Sequence, residues 1–211
     1  MGKTIELVLT VTMVIAATVL AVNSFSGPAP LPGSVSEQLP EPLWEELWEA
    51  GTPLIEGRAG APRILVLTDL ECPFCAAFHE ELVDASERKP GGFSARYIPH
   101  PLAYHAHADY AARAAYCVAR TGSFATFVDA VVANRDSLAS FPWEVQAASA
   151  GFVGSLEACV ESEGARRRVA EGLAFGDRVG LTGTPTIIVE GNRQVGLLSA
   201  ETLDGMGDRA R

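Results

Sequence analysis

The chain has 211 residues and a formal net charge of −10 at pH 7, and 48% of its residues are hydrophobic. This length suits one domain of moderate size with appendages, and the apolar share is large enough for a buried core. A domain that binds nucleic acid needs a basic face, so the acidic balance argues against a nucleic-acid partner.

The N-terminal segment is apolar from Leu7 to Val22, apart from threonines, with Lys3 before it and no charged residue after it until Glu37. This charge asymmetry keeps the N-terminus in the cytoplasm and exports the rest of the chain. The apolar stretch is slightly long for a signal peptide and slightly short for a full membrane span. Residues 1–25 are therefore predicted to form a single-pass signal anchor or a signal peptide. Both place the remaining residues on the extracytoplasmic, periplasmic side of the membrane.

Residues 26–42 are rich in proline and glycine and predict an extended spacer that holds the next part of the chain away from a membrane. Residues 43–52 predict a short amphipathic helix. Its large apolar side chains share one helical stripe: Leu43, Trp44, Leu47 and Trp48. We expect this stripe to dock on the following domain, and binding to a membrane surface or a partner is the alternative.

A β-α-β unit comes after the short helix. Residues 62–70 are rich in β-branched residues and leucine, which is typical of a buried strand. Residues 73–88 predict a helix with one apolar face. Gly91 and Gly92 then interrupt the chain before residues 93–98, which predict the next strand.

The stretch at about 103–163 is predicted to be mostly helical. Two short helices in it precede a longer helix, a hairpin that turns at Gly191-Asn192, and a final helix that Ser199 can cap. The other predicted elements are helices over 107–121, 123–135, 165–180 and 199–209 and strands over 185–191 and 193–198.

The motif ECPFC at 71–75 lies between the first predicted strand and its helix. Proline is favoured at the first helical position, so Cys72 should occupy the helix N-terminus. Unpaired backbone N–H groups and the positive end of the helix favour a thiolate there, and the thiolate is the reactive form of cysteine. Cys75 lies one turn further on. The motif predicts a redox pair in which the Cys72 sulfur is exposed and Cys75 lies behind it.

Two other interpretations of this motif are weaker. A zinc site built on CxxC normally has a second ligand pair nearby, whereas Cys117 and Cys159 are isolated in the sequence. A purely structural bond between Cys72 and Cys75 would close a loop too small to stabilise the fold much. We therefore predict no metal ion and no other cofactor.

Three histidines flank the start of the first inserted helix: His100, His105 and His107. Their spacing does not match a metal site. One of them could approach the cysteines, but we expect surface or capping roles.

Three motifs, LTDLECPFCAAF, ACVESEG and GLTGTPTIIVEGN, resemble the DsbA-like branch of the thioredoxin superfamily over roughly residues 53–209. The resemblance implies an α/β fold, in which a thioredoxin-like domain at 53–211 carries an inserted helical subdomain. It also implies a thiol–disulfide oxidoreductase whose catalytic residues are Cys72 and Cys75.

The same resemblance implies a substrate site. Pro185 would be in the cis form and face the two cysteines, and Thr184 before it would offer backbone groups to an extended substrate. Phe74 is expected to give the substrate an apolar contact. With the CPFC cysteines paired, Cys117 and Cys159 remain on inserted helices, as in many DsbA-like proteins, and are expected to form a structural disulfide. A relay pair is the alternative.

The chain departs from its relatives at two positions. Many of them bury a carboxylate six residues before the first cysteine, where this chain has Val66. Proton transfer to Cys75 would then use water or another group, with Asp69 and Glu71 as candidates. The pair between the cysteines contains Phe74 and no histidine, so we expect a milder oxidant than the most oxidising members.

The sequence thus predicts an extracytoplasmic enzyme that exchanges disulfides with exported proteins, as an oxidase more readily than as a reductase or isomerase. A quinone-linked membrane partner would reoxidise it. The alternative is a membrane-tethered accessory or scaffold subunit of a membrane protein complex, in which the cysteine pair is idle.

Overall fold

The computed structural model describes residues 37–194 and 197–209. The predicted signal anchor at 1–25 and most of the predicted spacer at 26–42 lie outside these residues. Within the described ranges, no helix combines the length and the apolar surface that crossing a membrane requires.

Strands from distant parts of the chain form one six-stranded sheet in the described residues. They are β1 (Glu37–Gln38), β2 (Thr52–Ile55), β3 (Arg63–Thr68), β4 (Ser94–Pro99), β5 (Thr186–Val189) and β6 (Asn192–Gln194). Their spatial order is β1-β6-β5-β3-β4-β2. Strands β3 and β4 are parallel and place Val66 opposite Tyr97, whereas the other neighbouring strands are antiparallel.

Helices connect and cover these strands. They are α1 (Glu41–Ala50), α2 (Pro73–Arg88), α3 (Ala108–Ala119), α4 (Phe124–Ala133), α5 (Trp143–Ser149), α6 (Leu156–Val160), α7 (Glu163–Arg178) and α8 (Ala200–Arg209), with a 3₁₀ helix at Arg135–Ser140. Helix α2 joins the parallel strands β3 and β4, so the predicted β-α-β unit is confirmed. Helices α3 to α7 all fall between β4 and β5 in the sequence, which interrupts the sheet with a helical insertion.

Helix α1 docks on the domain through its apolar face, as expected. Trp44, Leu47 and Trp48 are buried in a cluster with side chains from β3 and β5. The Arg63 guanidinium lies over both indole rings, 5.0 Å from the Trp44 ring and 5.4 Å from the Trp48 ring. It also binds the Glu45 carboxylate at 2.8 Å, so α1 is fixed to β3 by apolar burial and by charge.

The last residues of the spacer predicted at 26–42 belong to the folded domain instead. Residues 37–38 form β1, which pairs with β6, and Leu39 is buried. Helix α1 then begins at Glu41 rather than at residue 43. Pro42 suggested a spacer, but proline fits the first turn of a helix, where a backbone N–H has no partner to lose.

The C-terminal hairpin turns one residue earlier than predicted. Val189 pairs with Asn192, so Glu190 and Gly191 form the two-residue loop. Both have positive φ, 47° for Glu190 and 77° for Gly191. A two-residue turn with positive φ at both positions matches the right-handed twist of the flanking strands.

Helix α3 lies inside the helical insertion and packs against α4, α6 and α7. Its buried face carries mostly alanine, which lets the neighbouring helices approach closely. A disulfide between Cys117 on α3 and Cys159 on α6 links two of these helices, with 6.0 Å between their Cα atoms.

Candidate active site

Cys72 is the residue that caps the N-terminus of α2, and Pro73 comes next in the first turn. The Cys72 backbone carbonyl accepts the helical bond from the Ala76 N–H at 3.0 Å, and the Cys72 N–H donates to the Asp69 carbonyl at 3.2 Å. The sulfur therefore lies where the first turn of a helix leaves backbone N–H groups without helical partners. The predicted position of Cys72 follows from the proline that comes after it.

The surroundings of Cys72 favour its thiolate. A hydrogen bond from the Cys75 thiol is the largest cause that lowers the pKa of Cys72, and the backbone N–H groups of Cys75 and Phe74 act in the same direction. Burial opposes them, and the pKa of Cys72 falls to about 5. For Cys75 burial is the largest cause and raises the pKa of its thiol. The pair is thus arranged as a thiolate that accepts a hydrogen bond from a thiol.

The expected exposure of the Cys72 sulfur is wrong. Cys72 is only 4% exposed and Cys75 only 3%, and neither forms a disulfide. They still differ in depth, because many more atoms surround Cys75 than Cys72. Phe74 between them is 65% exposed, so the first turn of α2 presents an aromatic ring to solvent while both sulfurs are covered.

The loop before β5 covers Cys72. The peptide bond between Thr184 and Pro185 is cis, and the Thr184 carbonyl oxygen lies 3.5 Å from Cys72 Sγ. The Thr184 hydroxyl is buried and makes no hydrogen bond of good geometry to the residues that the structure describes. It nevertheless lies close enough to lower the pKa of both cysteines. The structure thus places Thr184 and Pro185 beside the cysteine pair.

Asp69 organises the loop that carries the cysteines and is 1% exposed. Its Oδ1 accepts a hydrogen bond from the Glu71 N–H at 2.8 Å, and its Oδ2 accepts from the Leu102 N–H at 2.7 Å and pairs with His105 Nδ1 at 2.8 Å. Its backbone N–H lies 3.5 Å from Cys75 Sγ. Since its carboxylate oxygens already have three partners, Asp69 acts as a positioning residue rather than a free proton acceptor.

Glu71 makes a second link between the same two segments. Its Oε2 accepts from the His107 N–H at 2.6 Å, and its Oε1 lies 3.2 Å from His107 Nδ1. His107 precedes helix α3, but its side chain makes no capping hydrogen bond to that helix, so its contacts are with the active-site loop instead of the capping role expected. Asp69 and Glu71 are two residues apart, and so are His105 and His107. This equal spacing is the sequence signal that could have indicated the double link.

His100 lies elsewhere. It is buried against α7, with Nδ1 3.3 Å from the Gly172 carbonyl oxygen. Within the described residues, no three His, Cys, Asp or Glu side chains form a group that could hold a metal ion.

Sequence reasoning missed a polar chain that begins beside Cys75. His79 lies one helical turn after Cys75 on the buried face of α2 and is 3% exposed. Its Nδ1 lies 3.0 Å from the Tyr97 hydroxyl, and its Nε2 lies 2.7 Å from Asp129 Oδ1. The spacing of four residues between Cys75 and His79 is the sequence signal that could have indicated this histidine. Its partners on β4 and α4 are distant in sequence and gave no such signal.

Known proteins share this fold and part of this sequence. A family model described as Thioredoxin matches residues 49–208. A curated protein named Na(+)/H(+) antiporter NhaA 3, from Salinispora tropica, is 31% identical over 160 residues, which are 71% of this chain and 23% of the antiporter. The chain therefore spans less than a quarter of the length of that relative.

Three solved structures illustrate the likeness in fold. A thioredoxin-like oxidoreductase from Silicibacter pomeroyi is 23% identical, with a TM-score of 0.63 over 79% of this chain and 96% of that one. A periplasmic thioredoxin-like protein from Salmonella enterica serovar Typhimurium is 19% identical, with a TM-score of 0.65 over 82% and 98% of the two chains. The thiol-disulfide exchange protein alpha-DsbA2 from Wolbachia pipientis is 14% identical, with a TM-score of 0.65 over 80% and 92%.

The family model covers the strand, helix and loop that hold Cys72, Cys75 and Pro185, and the three solved structures share the fold over 79–82% of this chain. This protein belongs to the thioredoxin family and has the fold of its DsbA-like members.

Proposed function

We propose that this protein is a thiol–disulfide oxidoreductase that uses Cys72 as its nucleophile and Cys75 as its resolving thiol. One observation carries the proposal. Cys72 occupies the N-cap position of α2, its Sγ lies 3.5 Å from the Thr184 carbonyl oxygen, and its pKa is lowered to about 5. A cysteine that is a thiolate at neutral pH, with a second free thiol one turn away, is equipped for disulfide exchange.

In the reducing direction, the Cys72 thiolate attacks one sulfur of a substrate disulfide. A bond forms between Cys72 and that sulfur, and the other substrate sulfur leaves with the electron pair and takes a proton from solvent. Cys75 then loses its proton and attacks Cys72, which forms the Cys72–Cys75 disulfide and releases the second substrate thiol. Two electrons pass from the protein to the substrate, and the oxidising direction reverses each step.

The arrangement favours the oxidising direction. The hydrogen bond from Cys75 and the helix N-terminus stabilise a thiolate, which exists only in the reduced pair. Stabilising the reduced pair makes the Cys72–Cys75 disulfide easier to reduce, and an easily reduced disulfide oxidises other thiols. We therefore propose an oxidase, as the sequence suggested, with exported proteins as substrates.

Two exposed aromatic rings, one between the cysteines and one near the active-site loop, suit an unfolded substrate. Phe74 is 65% exposed and Tyr104 is 78% exposed. The Tyr104 ring lies 4.5 Å from that of His105, whose side chain binds Asp69 in the active-site loop. Apolar rings on fixed segments can hold an extended chain while the backbone groups of Thr184 align it. Since both sulfurs are covered, substrate binding must also open a path to Cys72.

The proposed location is outside the cytoplasm, and the proposed membrane partner is a quinone-linked protein that reoxidises the pair. The apolar segment at 1–25, with its charge asymmetry, supports export. One solved relative is described as periplasmic, which agrees with this location. A disulfide between Cys117 and Cys159 also suits an oxidising compartment.

A second candidate function is an accessory or scaffold domain of a membrane protein. The observation in its favour is the match to a small part of a protein named as a Na(+)/H(+) antiporter. A domain of this kind can thus occur within a much larger protein whose name gives no redox role. Stoichiometric copurification of the full chain with one membrane assembly supports this candidate.

Oxidative refolding of a reduced disulfide protein and reduction of insulin test the enzyme proposal. We expect Cys72→Ser to abolish both activities and Cys75→Ser to trap mixed disulfides with substrate. Ser137→Ala, on the surface of the 3₁₀ helix, is the matched control and keeps full activity. Unchanged activity in Cys72→Ser rules out the enzyme function and leaves the accessory role.

A further inference from the structure

Cys75 must lose and regain a proton during disulfide exchange, and Cys72 does not supply a group that takes this proton to solvent. Burial raises the pKa of the Cys75 thiol, yet Cys75 must lose a proton to resolve a mixed disulfide and regain it when the pair is reduced. Val66, six residues before Cys72, has no group that can take up a proton, and the Asp69 carboxylate is already occupied by three partners. Glu71 is likewise paired with His107, so water or another polar group must exchange this proton.

A polar chain runs from this part of the core to solvent. His79 Nδ1 lies 3.0 Å from the Tyr97 hydroxyl and its Nε2 lies 2.7 Å from Asp129 Oδ1. Tyr97 is 2% exposed and His79 is 3% exposed, whereas the Asp129 side chain is 52% exposed. The chain thus has a buried end at Tyr97 and an end in solvent at Asp129.

We propose that Tyr97, His79 and Asp129 form the path by which the Cys75 thiol loses and regains its proton. This inference rests on the proposed redox function of Cys72 and Cys75. The three residues are positioning and proton-transfer groups that act through Cys75, and none of them needs to touch the substrate.

Cys75 lies close to this polar chain. His79 is one helical turn from Cys75 on the buried face of α2, and a negative charge on Cys75 is near enough to raise the pKa of Tyr97. Thr68 and Tyr97 both line a small cavity, and the Thr68 side chain lowers the pKa of Cys75. In the parallel register of β3 and β4, Val66 faces Tyr97, and Thr68 lies two residues beyond Val66 on the same face of the sheet. The cavity is large enough to hold one water between polar groups.

The proton balance of the resolving step follows from these contacts. In the histidine tautomer whose Nε2–H donates to Asp129, Nδ1 accepts the Tyr97 O–H. The Cys75 proton passes to Tyr97 through the Thr68 hydroxyl and one water that the cavity can hold, as Tyr97 gives its own proton to His79 Nδ1. The Cys75 thiolate bonds to Cys72, the bond from Cys72 to the substrate breaks, and the electron pair leaves on the substrate sulfur.

The Asp129 carboxylate stabilises the imidazolium that forms, and the Nε2 proton then leaves to solvent. His79 is left with its proton on Nδ1, where it donates to Tyr97. That tautomer is the one needed when the Cys72–Cys75 disulfide is later reduced, because a proton must then flow inward to Cys75. The two half-reactions of the cycle thus use the two neutral tautomers in turn.

The charges around this path agree with its role. Burial, and then the negative charges of Cys75 and Asp129, raise the pKa of Tyr97, so Tyr97 keeps a hydroxyl proton to pass on. Two further titratable groups face the cavity from the helical insertion, Tyr116 on α3 and Arg168 on α7. Arg168 donates to the Ala50 carbonyl at 2.7 Å, which directs one guanidinium nitrogen toward the end of α1.

Reaction of the reduced full chain with the coloured disulfide reagent dithiobis(nitrobenzoate) separates the two thiols. Attack by Cys72 releases a first thionitrobenzoate, and attack by Cys75 on the mixed disulfide releases a second. Stopped-flow absorbance measures both rates from about pH 5 to about pH 9, a range that covers general acid–base catalysis near neutrality. The variants are Tyr97→Phe, His79→Gln and Asp129→Asn, with Tyr116→Phe as the control that keeps the cavity wall.

We expect Tyr97→Phe and His79→Gln to leave the first release unchanged and to slow the second by about tenfold or more, as loss of a positioned proton acceptor does. In these variants the second rate also depends more steeply on pH than in the wild type, because water must take the Cys75 proton. Asp129→Asn, at a half-exposed position, shows the same change to a smaller extent. Tyr116→Phe behaves as wild type.

Three outcomes overturn the inference. If the second release in Tyr97→Phe and His79→Gln keeps the wild-type rate and pH profile, the proton path is wrong while the redox function stands. If both releases slow equally, the residues support the fold rather than proton transfer. If the wild type shows no first release, the proposed redox function and the proton path both fail.

Discussion

Cys72 Sγ and the Thr184 carbonyl oxygen lie 3.5 Å apart although 112 positions separate the two residues in sequence. Strand β5 places the cis peptide bond of Thr184 and Pro185 beside the N-terminus of α2, because β5 pairs with β3, which leads into that helix. The contact partly explains why Cys72 is covered. It also places the backbone expected to bind substrate directly beside the reactive sulfur.

The pH dependence of Cys72 should be displaced from that of a free thiol. Its pKa is lowered to about 5, so alkylation of the reduced protein by iodoacetamide should stay fast at neutral pH and fall as the pH drops through about 5. Because the folded pKa lies below the unfolded one, thiolate stabilisation of the reduced fold is complete above the unfolded pKa and is lost as the pH falls through about 5. Rates that follow a midpoint near that of free cysteine contradict this assignment.

The covered position of Cys72 predicts a dependence on reagent size. Since Cys72 is 4% exposed, a small reagent such as iodoacetamide should modify it much faster than a bulky maleimide of equal intrinsic reactivity. Phe74→Ala should narrow that difference, because it removes the large exposed ring next to the sulfur. Equal rates for both reagents in the wild type would show that the sulfur is open to solvent.

The Thr184 hydroxyl should lower the pKa of both active-site cysteines. It lowers the pKa of Cys72 and of Cys75, so Thr184→Val should raise the pKa of Cys72 and slow its alkylation at mildly acidic pH. Thr184→Ser keeps the hydroxyl and should retain the wild-type midpoint. Thiolate absorbance as a function of pH measures the Cys72 midpoint in both variants. An unshifted midpoint in Thr184→Val would show that the hydroxyl does not lower the pKa of Cys72.

Asp69 should contribute strongly to stability. Replacing it with Ala leaves the N–H groups of Glu71 and Leu102 and the side chain of His105 without a buried partner. We expect Asp69→Ala to lower the free energy of unfolding by about 3–5 kcal/mol, as measured by urea unfolding. Asp109→Ala is the matched control, because the Asp109 carboxylate is largely exposed. Its loss should cost less than about 1 kcal/mol.

The disulfide of the insertion should act on stability rather than on exchange. Cys117 and Cys159 are 42 positions apart, so their bond constrains a long stretch of the unfolded chain. Replacing both with Ala should lower the free energy of unfolding by about 2–5 kcal/mol and leave the reaction of Cys72 with a disulfide reagent unchanged at low temperature. A loss of exchange in a variant that remains folded points to the relay role instead.

Local patterns predicted the parts of the fold that depend on neighbouring residues. Helix α2 was expected over 73–88 and spans Pro73–Arg88. Proline at its first position, an apolar face of period 3.6 and glycines beyond its end all act within a few residues. The parallel pairing of β3 and β4 around it follows from the right-handed connection that such a unit makes.

Short strands and long-range polar contacts were harder to predict. Strand β1 has two residues and gains its backbone bonds from β6, more than 150 positions away, so no pattern within the strand indicates it. The Tyr97 hydroxyl and the Asp129 carboxylate each meet His79 only because β4 and α4 pack against α2. Such contacts depend on the arrangement of elements and not on their composition.

By itself, the sequence determined the chemistry available to this protein, because a proline after Cys72 and a helix behind it are enough to place a sulfur at a helix N-terminus. The tertiary structure alone decided how that sulfur is used. It covers Cys72 with the Thr184 carbonyl, occupies Asp69 with backbone and histidine partners, and connects His79 to solvent through Asp129. Burial and hydrogen-bond partners set the reactivity of a group, and both are supplied by segments that meet only when the chain folds.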